Sequence, residues 1–317
     1  MRKFLKKISF LASILSIMLI GINYMYINTE YFKNLNDVSK FSKIPQYIDI
    51  INLGSSHSQM AFDWSDYPEV NGVNAALPSQ TLCYDESIFN QYFDRLSEKS
   101  VVIIGITYRS LYENQDDVIE GQKIARYYQI LEKRYFPNWN LYDAIKNKYI
   151  PILGNKDNAI KAIIDEMFNK KDGSLNEQEN IWRGYDYSQI ESWGIENAHT
   201  FMKLSQGQEL EEQYEGLIHI IEKCKNQDIQ VILITLPTLP CFYETFSTEF
   251  KDKFYNDINT ISETYNVPYS DYTGDKRIPV DGRIFYDADH LSEYGAKLFT
   301  EIFLEDHKVY IRDIGIE

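Results

Sequence analysis

Apolar positions along this chain fall into two alternating patterns, short unbroken runs and longer stripes at helical spacing. The run Tyr47-Ile48-Asp49-Ile50-Ile51-Asn52-Leu53 is apolar on both faces and predicts a buried strand over 47–53. Gly72-Val73-Asn74-Ala75-Ala76-Leu77 predicts a second short strand, Val101 to Ile106 a third, Ile229 to Leu236 a fourth ended by Pro237, and Val267-Pro268-Tyr269 a fifth. Between them lie stripes at three- and four-residue intervals. Residues 84–98 place Ile88, Phe89, Tyr92, Phe93 and Leu96 on one helical face. Residues 208–226 do so with Leu210, Tyr214, Leu217, Ile218 and Ile221, and the next helix with Phe250, Phe254, Ile258, Ile261 and Tyr265. The last helix, about 292–306, turns Ala296, Phe299, Ile302 and Phe303 inward. Strands alternating with helices imply an α/β fold, a parallel sheet covered on both faces in a three-layer, flavodoxin-like sandwich. Ligands in such folds bind beyond the carboxyl ends of the strands, where Ser56, Thr107 and Pro237 fall.

Two regions break this rhythm. Residues 1–27 open with four basic side chains (Arg2, Lys3, Lys6, Lys7), then run uncharged from Ile8 to Ile27. Twenty residues at helical rise cross a bilayer's hydrocarbon core. The basic tip places the N-terminus in the cytoplasm and the rest outside, a single-pass anchor in the cell membrane. The run ends in Asn28-Thr29-Glu30-Tyr31 without a small-x-small cleavage site, so an uncleaved anchor is favoured over a signal peptide. Residues 28–46 read as a polar connector, and 47–317 as the folded domain. Residues 110–205 are too long for a connection and too aromatic for a linker. With Trp139, Trp182 and Trp193 they predict a mostly helical insertion: a lid, a binding subdomain, a docking surface or a structural elaboration.

Composition narrows the function. The 317 residues are 44% hydrophobic, enough for a packed core. A net charge of −15, with no basic run interleaved with aromatics, argues against nucleic acid as a partner. Three scattered cysteines (Cys83, Cys224, Cys241) make neither a disulfide framework nor a zinc site, though one bridge stays open. The five histidines lack HxxxH or HxH spacing, so no metal site is expected.

The chemistry lies at opposite ends of the chain. The first strand stops at Gly54-Ser55-Ser56-His57, and Phe285-Tyr286-Asp287-Ala288-Asp289-His290-Leu291-Ser292 precedes the last helix. A serine is a weak nucleophile until a base takes its proton, and that base needs a third group to hold its tautomer. Ser56, His290 and Asp287 supply these parts in the order Ser…Asp…His. Asp287, three residues before His290, folds back to accept the imidazole Nδ1–H. Asp289 is an alternative orienter, read instead as a solvated or capping carboxylate because adjacent side chains diverge. His57 should point away from Ser56 and line the pocket rim.

These motifs, together with Gly295, resemble the SGNH (GDSL-type) hydrolase superfamily, with Ser56 as its block-one serine, Ser55 in place of the usual Asp, and Asp287 and His290 as its Asp-x-x-His. The Gly-Ser-Ser variant behind a membrane anchor looks most like the extracytoplasmic branch that holds DltD-type D-alanyl-transfer proteins and alginate-type O-acetyltransferases. The resemblance covers roughly 45–109 and 228–306. It implies an oxyanion hole from the Ser56 N–H, a second-block donor within Asn74-Ala75-Ala76-Leu77-Pro78-Ser79, with the N–H near Ser79 favoured, and Thr107 where the family carries Asn. Arg109 is a substitute donor. The implied function is a serine O-acyltransferase or esterase acting on a cell-surface or secreted glycan, needing no cofactor. An acyl donor, a glycan acceptor and a multipass membrane acyltransferase are the implied partners. The alternative is a catalytically inactive module of the same fold that binds a glycan or such a partner.

Overall fold

The computed structural model describes residues 1–35, 38–112, 122–168, 181–205 and 211–311. In chain order the elements are helix α1 (Arg2–Ile27), strand β1 (Ile50–Gly54), the single turn α2 (Ser56–Gln59), β2 (Gly72–Asn74), α3 (Leu82–Tyr92) and β3 (Val101–Gly105). They continue with α4 (Lys156–Phe168), α5 (Tyr187–Leu204), α6 (Glu211–Lys225), β4 (Gln230–Thr235), α7 (Pro240–Tyr243), α8 (Thr248–Tyr265), β5 (Tyr269–Asp271) and α9 (Glu293–Asp306). Leu210, expected at the start of α6, lies outside the described residues. The chain divides into two compact units: Met1–Lys43 with Ile119–Ser174, and Ile44–Val118 with Leu175–Glu317.

The larger unit is built on a five-stranded sheet in the order β2-β1-β3-β4-β5. Every pairing is parallel. This is the flavodoxin-like order, whose topological switch point lies between β1 and β3. All five residues of β1 and of β3 are buried, which is why their sequences run apolar without alternation. Phe254 and Ile258 of α8, Leu217 and Ile220 of α6, and Phe299 and Phe303 of α9 are also fully or nearly fully buried. Each such side chain contributes roughly 1.5–3 kcal/mol by leaving water.

Gly54 of β1 pairs with Gly105 of β3, which pairs with Ile234 of β4, so the three strands end level. Three strands differ from expectation at an edge by two residues or more, the first being β1, which begins at Ile50 instead of Tyr47. β2 stops at Asn74, although Ala75 and Leu77 still donate to Asn52 and Gly54. β5 begins at Tyr269 because Pro268 has no N–H to pair; its carbonyl accepts from Leu233 instead. The three cysteines are unpaired thiols.

The smaller unit holds α1, the only helix among the described residues long and apolar enough to cross a membrane, with a mean hydropathy of 1.9. Residues 28–46 carry a short helix (Glu30–Leu35) and a 3-10 stretch (Val38–Lys43). The expected insertion divides: its 119–174 part belongs with α1, whereas α5 belongs with the sheet.

Candidate active site

β1 delivers Ser56 to the carboxyl edge of the sheet through a glycine with φ of 123°. A side chain on Gly54 would meet the Gly105 carbonyl oxygen at 2.8 Å, so both conformation and space require glycine. The chain turns at once into α2. Ser55 is its extended N-cap and Ser56 its first residue, whose N–H therefore has no intrahelical partner. The turn is clamped from below. Asn52 reaches the Ser58 hydroxyl (3.2 Å) and Asn74 Oδ1 (3.0 Å). Asn74 donates to the carbonyls of Gln59 (2.7 Å) and Phe62 (3.1 Å). A third support is Asp85 on α3, whose Oδ1 accepts from the Gly54 N–H (2.7 Å) and from Gln80 (2.6 Å). Burial pushes the Asp85 carboxyl up to about 7, against both hydrogen bonds.

The opposite wall is the loop 281–292. Tyr286 N–H donates to His290 O and Ser292 N–H to Ile284 O, closing the loop on itself. Within it, Asp287 Oδ1 accepts from the backbone N–H groups of Asp289 (3.1 Å) and His290 (3.0 Å) and faces His290 Nδ1 at 2.8 Å. A carboxylate pinned by two backbone donors is a fixed orienter. His290 Nε2 lies 2.8 Å from Ser56 Oγ. Ser56, His290 and Asp287, two of them 234 positions apart, are thus joined in one hydrogen-bonded line. Ser292 then caps α9 by accepting from Gly295 N–H.

Beside this line stands a second histidine–carboxylate pair. Contrary to the solvated reading, Asp289 is buried, with 5% exposure. It accepts from Asn197 of α5 (3.0 Å), pairs with His57 Nε2 (3.0 Å) and faces His290 Nδ1 at 3.6 Å. Burial works to raise its pKa, but His290, His57 and Asn197 outweigh burial and hold it well below the usual carboxylate range. His57 is a wall of the site rather than its rim. Its ring lies nearly parallel to that of His290, centroids 4.9 Å apart, and its Nδ1 meets Ser55 Oγ at 3.3 Å. Burial holds its pKa below the ordinary value, against the pull of Asp289.

The expected oxyanion donors are placed unevenly. Asn74 is no donor to a reacting oxygen: both ends of its amide hold the turn after Ser56. The Thr107 hydroxyl pairs with that of Ser110 (3.0 Å), and Thr107 lines a small cavity next to His57 and Phe242. Arg109 stacks over Phe201, 4.5 Å to the centroid; burial pushes it down to about 10, against the field of Asp289. Ser79 takes a left-handed φ of 53° in the segment that runs beside Gly54 through the Leu77 N–H.

No protein-family model matches this chain, and no curated protein does. Solved structures with a similar course include a candidate acylhydrolase from Bacteroides fragilis NCTC 9343 and a GDSL-like lipase from Bacteroides thetaiotaomicron VPI-5482. Each is 9% identical and is matched over 86% of this chain and 95% of its own length, with TM-scores of 0.41 and 0.40.

His57, Asp289 and His290 offer three metal-ligating atoms within 4.8 Å of one another, a cluster that no sequence spacing displays. Imidazole lone pairs lie in the ring plane, and two rings inclined by only 13° do not aim theirs at a common point. The geometry fits a hydrogen-bonded cluster better than a metal site. Next to it, α5 and the 287–289 turn enclose a cavity of about 330 Å³, with Trp193, Glu196, Asn197 and Thr200 on its wall. Sequence reasoning missed Asp85, Asn52, Asn197 and the burial of Asp289. The one local signal was an asparagine, Asn52, inside an otherwise apolar strand.

Proposed function

We propose that this protein is a membrane-anchored serine acyl-transfer enzyme, an O-acyltransferase or esterase, acting on a cell-surface or secreted glycan. One observation carries the reading: Ser56 Oγ is 2.8 Å from His290 Nε2, while Asp287 is 2.8 Å from the other ring nitrogen. With Nδ1–H donated to Asp287, Nε2 accepts from the Ser56 hydroxyl and takes the serine proton. Ser56 Oγ attacks the acyl carbonyl carbon, and its proton passes to Nε2. The tetrahedral oxyanion takes a hydrogen bond from the Ser56 N–H at the start of α2 and from a second-block backbone N–H near Ser79. Collapse expels the leaving group, which takes the proton from Nε2. The acceptor alcohol, or water in an esterase, then loses its proton to Nε2 and attacks the acyl-serine; collapse breaks the acyl–Oγ bond, and Oγ takes the proton back from Nε2, restoring Ser56. Proton transfer of this kind contributes roughly 10²–10⁴ in rate, and each oxyanion donor about 10²–10³. Asp289, buried beside His290, would add a second negative charge facing the imidazolium formed midway. Burial lowers the pKa of His57, which works against a second positive charge beside that imidazolium.

The glycan is supported by the cavity beside Asp287, where an aromatic face and hydroxyl-binding side chains (Trp193, Glu196, Asn197, Thr200) stand together. The apolar α1 and the resemblance to the extracytoplasmic branch support the anchored location and a multipass acyltransferase as partner. A second reading, a non-catalytic module of the same fold, is favoured by one observation: the Thr107 hydroxyl is engaged by Ser110 and Asn74 by the turn. Hydrolysis of a chromogenic acetyl ester by the full chain separates the two. The enzyme reading predicts turnover lost in Ser56→Ala and in His290→Ala. No turnover above those variants would favour the module.

A further inference from the structure

Among the described residues the smaller unit leaves an apolar helix face uncovered, and the place of that helix against α1 bears on what covers it. α4 packs one edge, Ala159 and Ala162 with part of Ile163, onto Tyr26 and Leu19 of α1. Hydrogen bonds tie the same region together. Asn23 accepts from the Ile152 N–H, Tyr26 OH accepts from Asn155, and Glu166 accepts from the Glu30 N–H. A different edge of α4 carries Ile160, Ile164, Met167 and Phe168, exposed at 58, 49, 61 and 77%. Their spacing, i, i+4, i+7 and i+8, makes one continuous stripe. Asn158, exposed, and Asp165, half-buried, lie on the side away from it, while Lys161, seven residues before Phe168, borders it. Four large apolar side chains in a row, left in water, would forgo roughly 25 cal/mol for each Å².

The contact with α1 places this stripe. Leu19 and Tyr26 lie inside the uncharged run from Ile8 to Ile27, and seven residues of helix span about 10 Å. A helix packed on the last turns of a membrane span sits at the hydrocarbon–headgroup boundary, where amphipathic helices lie flat with their apolar face some 5–10 Å deep. Tyr24 and Tyr26 at the end of α1 fit that boundary, where tyrosines are enriched.

We propose that α4 is an interfacial membrane helix, its Ile160–Ile164–Met167–Phe168 stripe immersed in the outer face of the same bilayer that α1 spans. The proposal rests on α1 being a membrane span, and the experiment separates the two claims. The full chain is reconstituted in lipid nanodiscs after attaching a fluorophore at Ile17→Cys, Ile164→Cys or Asn158→Cys, with the unsubstituted chain as blank for its own thiols. Each sample is quenched by brominated lipid and by aqueous iodide. The expected result is lipid quenching at positions 17 and 164, several-fold above that at 158, and iodide quenching at 158. Lipid quenching at 17 with iodide quenching at 164 overturns the interfacial helix and leaves the span intact. Iodide quenching at 17 overturns both. A probe at 164 shielded from both quenchers shows the stripe covered by protein, a second copy or a partner, and overturns the lipid assignment.

Discussion

Asp287 and Asp289 both face His290 Nδ1, at 2.8 and 3.6 Å, and the account gives them different work. In the proposed mechanism Asp287 sets the tautomer. Asp287→Asn should leave the fold intact and lower kcat by a factor on the order of 10³–10⁴, because the amide favours the wrong tautomer. Asp289 contributes charge. The groups facing it are His57 on α2, His290 and Asp287 on its own loop, Arg109 after β3 and Cys241 on α7. Removing its negative charge makes the charged form of His290 less favourable, so Asp289→Asn should move the acid limb of the kcat profile to lower pH. The expected kcat loss is roughly tenfold with KM unchanged, since a nearby opposite charge shifts a titration by about 1–3 units. A pH–rate profile superimposable on the unsubstituted one would remove that role. Ser56, Asp287 and His290 were legible because each sits in a short motif whose spacing encodes its geometry. The place of Asp289 was not, because its burial depends on Asn197 and His57, supplied by α5 and α2 from elsewhere in the chain. Asn74 and Asp85 exchange significance for the same reason: which polar group supports a turn is decided by packing across the sheet.

At the scale of elements, the junction of β1 and α2 tolerates no side chain at Gly54. Gly54→Ala must adopt a φ of 123° and push against the Gly105 carbonyl. Such strain costs about 1–3 kcal/mol, and a displacement of Ser56 on the order of 1 Å costs about 10² in rate. Ester turnover should fall by that factor in a protein that still unfolds cooperatively; full activity would show that the turn is not the positioning device. The end of α9 offers a stability test. His307 is buried at 4% exposure, neither ring nitrogen has a hydrogen-bond partner among the described residues, and burial pushes its pKa down to about 4. The unfolded chain binds that proton near 6.5, so the stability involved is complete above about 6.5 and is lost as pH falls toward about 4, up to roughly 3 kcal/mol. Asp85 tilts the other way over the same window, since its carboxyl is raised and charging it costs stability as pH rises toward about 7. His307→Phe should therefore gain stability over the unsubstituted chain as pH falls from 7 to 4.5, read by urea unfolding at each pH. A pH-independent difference would contradict the assignment. The strands and principal helices were legible from period alone, because β1 and β3 are buried on both faces. The edges were not: Pro268 shifted β5, and β2 stopped where the chain bends beneath the serine.

For the whole molecule, the parallel sheet explains why a serine near residue 56 and a histidine near residue 290 share one site: both follow β-strands onto the carboxyl edge. The division of the 110–205 region was not legible, because periodicity predicts helices without saying which core they join. One part joins α1, and α5 supplies Asn197 and the cavity wall. The central claim is that Ser56 is an activated nucleophile. The most direct measurement is the reaction of the full chain with a fluorophosphonate, read by mass spectrometry of the modified peptide across pH. The account predicts a single adduct on Ser56, lost on acidification as His290 takes up a proton and absent in His290→Ala. A folded protein in which Ser56 stays unmodified at every pH, or is modified equally well without His290, would contradict it.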